Sequence, residues 1–189
     1  MKAHVCRSTV VLILAALAAA PPAARAVDPK TAKRIEAEIE RNRAEVVKVR
    51  RFLHMNPELG NREVETAKLI ASKLESLGLE VRTGVAKTGV VAVLRGAQPG
   101  AAVAVRADMD ALPIQEATGL PYKSLNPGVM HACGHDIHTS IGLGTAMVLS
   151  TLKDHMKGSV SFIFQPAEEG APDDEEGGAD VMVREGALE

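Results

Sequence analysis

The stretch Gly158-Ser159-Val160-Ser161-Phe162-Ile163-Phe164-Gln165-Pro166-Ala167-Glu168-Glu169-Gly170 decides how this chain is read. Its first part is short, apolar and bounded by Gly and Pro, which predicts a strand over residues 158–164. Two adjacent glutamates follow. Adjacent carboxylates repel each other, and a strand end gains nothing structural from them. One explanation is a division of labour, in which one carboxylate binds a metal ion and the other moves a proton. A nearby cation would make the pairing tolerable. The other explanation is an exposed acidic loop, and Asp173-Asp174-Glu175-Glu176 reads as one.

Working outward, three more Val-rich strands are predicted over residues 80–82, 89–95 and 101–106. Gln98-Pro99-Gly100 is a turn signal, so the last two are expected to form a hairpin. Ile35, Ile39, Val46, Val49 and Leu53 recur near 3.6-residue spacing and predict a helix over 31–54, with Asp28-Pro29 as its start. A second helix is expected over 62–77, stopped by Gly78. A buried helix over 137–152 and a short one over 179–185 complete the order α, α, β, β, β, α, β, α. That order points to an α/β fold, a mixed sheet flanked by helices.

In open α/β sheets, ligands bind beyond the carboxyl ends of the strands. Asp108 and Asp110 follow one predicted strand, and Glu168 and Glu169 follow another. The segment His131-Ala132-Cys133-Gly134-His135-Asp136 precedes a helix. Gly134 permits an unusual backbone between Cys133 and His135. A thiolate and an imidazole on one side of a loop suit Zn²⁺ or another borderline divalent ion. A lone Cys-x-His is more often a buried thiol beside surface histidines. The clustering of three histidines, Cys133 and Asp136 within eight residues favours a metal. Asp108 and Asp110 read equally as supports for a metal-bound histidine or as ordinary turn acids. No Gly-x-Ser-x-Gly elbow, phosphate loop or dinucleotide fingerprint is present.

Composition narrows the function classes. Of 189 residues, 46% are hydrophobic, which suits a globular domain. With no Trp, one Tyr and three Phe, there is no aromatic platform for stacking bases. A net charge of -2 offers no footprint for nucleic acid or an anionic membrane. Residues 1–26 read as a secretory signal peptide: Lys2 and Arg7, an apolar run from Thr9 to Ala20, then Ala24-Arg25-Ala26. The apolar run is too short to be a comfortable membrane anchor. An exported protein, periplasmic or secreted, is therefore expected. Without the leader, Cys133 is the one remaining cysteine. A free thiol in an oxidising compartment needs protection, and metal ligation provides it.

Four segments together resemble the di-metal amidohydrolases of the aminoacylase and carboxypeptidase-G group, in the branch of hippurate hydrolases, N-acyl-amino-acid amidohydrolases and indole-acetyl-amino-acid hydrolases. They are Arg51-Phe52-Leu53-His54-Met55-Asn56-Pro57-Glu58-Leu59, Arg106-Ala107-Asp108-Met109-Asp110-Ala111-Leu112-Pro113-Ile114, His131 to Asp136, and Gln165 to Gly170. The resemblance implies a zinc-exopeptidase-like, three-layer catalytic domain. It implies that Cys133, His135 and Glu169 bind two divalent ions (Zn or Mn, with Co or Ni as alternatives). Glu168 would be the general base that activates the bridging water, with Asp110 and, less directly, Asp108 supporting the metals. The implied reaction hydrolyses the amide bond of a small-molecule N-acyl amino acid. Members of the group add a lid and dimerisation domain, often form homodimers, and bring two later histidine ligands. His138 and His155 do not match those histidines. Residues 27–189 therefore read as the N-terminal part of the catalytic domain, incomplete at the C-terminus and expected to be weakly active or inactive alone.

Overall fold

The computed structural model describes residues 27–189, so the expected leader over residues 1–26 lies outside the described residues. Helix α1 spans Pro29–Met55. It starts where the sequence predicts, because the Asp28 carboxylate accepts from the Lys30 and Thr31 N–H groups at 3.0 and 3.1 Å. Helix α2 spans Val64–Ser76 and buries Ile70, Ala71 and Leu74. Gly78 follows with φ +78°, the left-handed residue that ends a helix without a Cβ penalty.

The strands are β1 (Glu80–Val85), β2 (Gly89–Arg95), β3 (Gln98–Asp108) and β4 (Lys157–Gln165). Helix α3 (His135–Ser150) lies between β3 and β4 in sequence, and α4 (Gly178–Arg184) follows β4. The sheet order is β1-β2-β4-β3, with β1–β2 and β2–β4 antiparallel and β3–β4 parallel. This corrects the expected hairpin of the second and third strands. The hairpin joins β1 to β2 through Ala86 and Lys87, at φ 49° and 72°. Gln98-Pro99-Gly100 belongs to β3, and β4 is inserted between β2 and β3. Glycines let the β2–β3 link and the start of β3 lie directly on the start of β4: a Cβ on Gly96 would fall 2.5 Å from Met156 O. A Cβ on Gly100 would fall 2.7 Å from Gly158 N, and one on Gly158 would fall 1.9 Å from Ala101 O.

Side-chain alternation divides the core into two layers. Val90, Ala92 and Leu94 of β2 and Phe162 and Phe164 of β4 pack with Val49, Leu53, Ile70, Leu74 and Leu143 from the first three helices. Val91 and Ile163 face the other way, against Met182 of α4. The fold is therefore the expected mixed sheet between helices. Gly142 brings α3 close to β4: a Cβ there would lie 3.0 Å from the Phe164 ring.

Candidate metal centre

Strands β3 and β4 run parallel in register, with Asp108 opposite Gln165. Their carboxyl ends therefore deliver Asp110 and the 166–170 loop to one edge of the sheet. The third contribution is the start of α3. Gly134 adopts φ +102° immediately before the helix, and this turn lets Cys133 and His135 face the same centre. Donor atoms of Cys133, His135 and Glu169 lie within 4.8 Å of one another. A sulfur, an imidazole nitrogen and a carboxylate suit Zn²⁺ and similar borderline ions.

Asp110 organises this cluster. Its Oδ1 is 3.0 Å from His135 Nδ1, and its Oδ2 accepts from the Glu169 N–H at 2.8 Å. One carboxylate thus orients the imidazole and the glutamate loop together. His135 Nε2 is left facing Glu168 and Glu169, at 3.6 and 3.8 Å. Burial opposes ionisation of Asp110, yet hydrogen bonds from His135 and from the Glu169 and Glu168 backbone hold its pKa below the usual value. Burial likewise works against a charged His135, but Asp110 outweighs it and raises the pKa. The Cys133 thiol is pushed up to about 11, first by its hydrogen bond to Glu169, then by burial and by the charges of Glu169, Glu168 and Asp108. A cation among these groups would reverse that balance, because a coordinated thiol loses its proton.

The cluster has a closed side and an open side. His135 and Asp110 are buried. Cys133 is exposed, and the Glu168 side chain is 38% exposed, so an incoming molecule can reach both. Asp108 is placed differently from Asp110. It pairs with Arg106 at 2.5 Å and with His138 Nδ1 at 3.2 Å, and makes no hydrogen bond to His135. Asp108, His135 and His138 form a second group of closely spaced donors.

Further polar residues lie near the centre: His131 and Asp136 belong to the cluster that the sequence marks for a metal, whereas Arg50, His54, Glu116 and Glu63 are not marked as site residues by the sequence. His54 Nδ1 meets Asp136 Oδ2 at 2.8 Å, Arg50 reaches the same oxygen at 2.9 Å, and His54 Nε2 lies 3.4 Å from Glu116. His131 is buried, neither ring nitrogen has a hydrogen-bond partner among the described residues, and burial lowers its pKa to about 4. Glu63 is fully buried. A signal for Glu63 existed in the sequence: it precedes Ala67, Ile70 and Leu74 by four, seven and eleven residues, placing a carboxylate on the apolar stripe of α2.

The acidic stretch after Gly170 is not uniformly solvated. Glu175 takes Arg62 at 2.7 Å, Lys87 at 2.8 Å and Asn61 at 2.8 Å, tying the loop to the start of α2 and the β1–β2 turn. These partners, Arg62 first, hold its pKa at about 2 against an ordinary 4.5. A carboxylate pKa depressed by folding gives stability that is complete above the unfolded value and lost as pH falls through the folded one. The loop is therefore expected to loosen between about pH 4.5 and 2. Carboxyl NMR should show Glu175 titrating near the lower limit, and Glu175→Gln should remove this step from the loop's acid response. A Glu175 midpoint at the ordinary glutamate value would refute the clamp.

Residues 104–189 match the family described as Peptidase family M20/M25/M40. The chain is 46% identical over 159 residues to the N-acyl-L-amino acid amidohydrolase of Geobacillus stearothermophilus, covering 84% of this chain and 42% of that one. It is 48% identical over 145 residues to the hippurate hydrolase of Campylobacter jejuni, covering 77% and 36% respectively. It resembles the crystal structure of a Bacillus subtilis protein described as a dinuclear metal binding peptidase from the M20 family. That match has a TM-score of 0.70 and 46% identity, over 81% of this chain and 41% of the other. The chain thus spans 36–42% of the length of these two curated relatives.

Proposed function

We infer that this chain belongs to peptidase family M20/M25/M40, which its family match and its relatives support, and that it contributes to a metal-dependent hydrolase that cleaves the amide bond of N-acyl amino acids. The convergence of Cys133, His135 and Glu169, with Glu168 beside them, carries this reading. These three residues would hold the metal pair, with zinc or manganese favoured and cobalt or nickel able to substitute. When bound, the ions would polarise the amide carbonyl and stabilise the negative charge that develops on its oxygen. Asp110 holds the His135 ring with Nε2 facing the centre. Glu168 takes a proton from the attacking water as its oxygen bonds to the carbonyl carbon. It returns that proton to the amide nitrogen as the C–N bond breaks, leaving a carboxylate and a free amino acid.

Residues 1–26 are proposed to direct export, on the strength of the basic start, apolar run and small-residue pattern. A homodimer is proposed for the whole protein from the family resemblance. Among the described residues, no helix is long and apolar enough to cross a membrane.

The test uses Co²⁺ and a hybrid enzyme. The 189-residue chain is expected to bind Co²⁺ with a thiolate-to-cobalt absorption that Cys133→Ser removes. Residues 27–189 joined to the remainder of the Geobacillus amidohydrolase should hydrolyse a panel of N-acyl amino acids, stop with chelator and recover with Zn²⁺ or Mn²⁺. A folded, metal-loaded hybrid that leaves every member of the panel intact would overturn the substrate assignment.

A further inference from the structure

The loop carrying Glu168 and Glu169 has an unfavourable backbone that the rest of the fold must hold. Ala167 adopts φ +48°, in the left-handed region that side chains disfavour. It is also buried, so its N–H needs a partner. That partner is Glu63: Oε1 accepts from Ala167 N at 2.9 Å, and Oε2 accepts from the Thr88 hydroxyl at 2.5 Å. The segment leading to Glu63 also forms the floor beneath the loop, since a Cβ on Gly60 would fall 2.3 Å from Gly170 O and 3.2 Å from Ala167 Cα. On the far side, Asp110 holds the Glu169 N–H. Two buried carboxylates therefore grip this loop, one on each side of Glu168.

We propose that Glu63 is a positioning residue, fixing the left-handed turn at Ala167 so that Glu168 and Glu169 face His135 and Cys133. This rests on the metal-hydrolase reading for its purpose, while the clamp itself is a property of the fold. Glu63 touches no reacting group and acts only through the Ala167 amide. The clamp needs an acceptor for the Ala167 N–H and a partner for the Thr88 hydroxyl rather than a charge, so a neutral side chain of the same shape should serve as well as the acid. Glutamine has the required shape: its carbonyl can accept from Ala167, and its amide can donate to the Thr88 oxygen.

The experiment compares wild type, Glu63→Gln and Glu63→Ala in the 189-residue chain by amide hydrogen exchange. In Glu63→Ala, amides 167–170 are expected to exchange about tenfold faster, the range for loss of one buried hydrogen bond, while the centres of β2 and β4 keep their relative protection. Glu63→Gln should remain within about threefold of wild type at the same amides. Should Glu63→Ala not fold, Glu63→Asp replaces it. Its side chain is one methylene shorter and should lose the same local protection. Co²⁺ titration gives the second readout: affinity should fall about tenfold in the Ala or Asp variant and hold in Gln, as for a support one step behind a ligand. Equal behaviour of Gln and Ala, or acceleration spread evenly over the sheet, would overturn the proposal and leave Glu63 a general packing residue. Failure of the metal-hydrolase reading would look different: wild type would not bind Co²⁺, while the exchange pattern would still report the clamp.

Discussion

Replacing Glu168 by Gln in the hybrid enzyme is expected to lower amide hydrolysis by roughly 10²–10⁴-fold, the usual contribution of a positioned acid–base group. Co²⁺ affinity should stay within about threefold, because Glu169 and not Glu168 belongs to the Cys133–His135 donor group. The substitution keeps the side-chain shape and removes only the ability to take a proton. Steady-state kinetics with parallel cobalt titration checks both halves. Equal loss of activity and metal would show that Glu168 is a ligand, and unchanged activity would remove it from the chemistry.

Phe164→Ala is the second large effect, and it acts through packing. Phe164 is 1% exposed and packs in the main core, with its ring against Gly142 of α3. Truncating a buried phenylalanine costs about 3–5 kcal/mol, from lost transfer energy and the cavity left behind. A domain of this size has only about 5–15 kcal/mol in total. Denaturant unfolding of the 189-residue chain should show the midpoint falling accordingly, with Phe164→Leu much milder. The site should weaken as well, since the same ring lies under the helix that carries His135 and one residue before Gln165, where the glutamate loop begins. A loss below about 1 kcal/mol would mean that α3 settles onto the vacated space.

Much of this architecture was legible in residue patterns. Helix boundaries followed caps: Asp28-Pro29 opened α1 and Gly78 closed α2, because backbone groups at helix ends need partners that only certain residues provide. The chemistry-bearing segments were legible because Cys133, His135, Glu168 and Glu169 are unusual residues in short clusters. Strand pairing was not. Gln98-Pro99-Gly100 has the composition of a turn, but the backbone of β4 passes against it, and no local rule reports a partner about sixty residues away. The supports were equally hidden. Glu63 and His54 act through atoms more than eighty residues distant, Ala167 and Asp136. From spacing alone Asp108 and Asp110 read alike; they separate in the fold because β3 ends at Asp108, so Asp110, two residues on, is freed from the strand's alternation and turns to His135 while Asp108 meets His138.

The glycine crossing of the β2–β3 link over β4 has a consequence for how the chain acquires its shape. Strand β3 is made early, yet among the described residues its one neighbour in the sheet is β4, whose residues 157–165 come after the whole of α3. Until β4 arrives, β2 lacks one partner and β3 has none, and closing so long a loop is slow. During synthesis, α1, α2 and the β1–β2 hairpin can assemble first. The insertion of β4 then joins β3 to β2 and brings Glu168 and Glu169 to Cys133 and His135 in the same event. Maturation of the metal site is thereby tied to the insertion of β4.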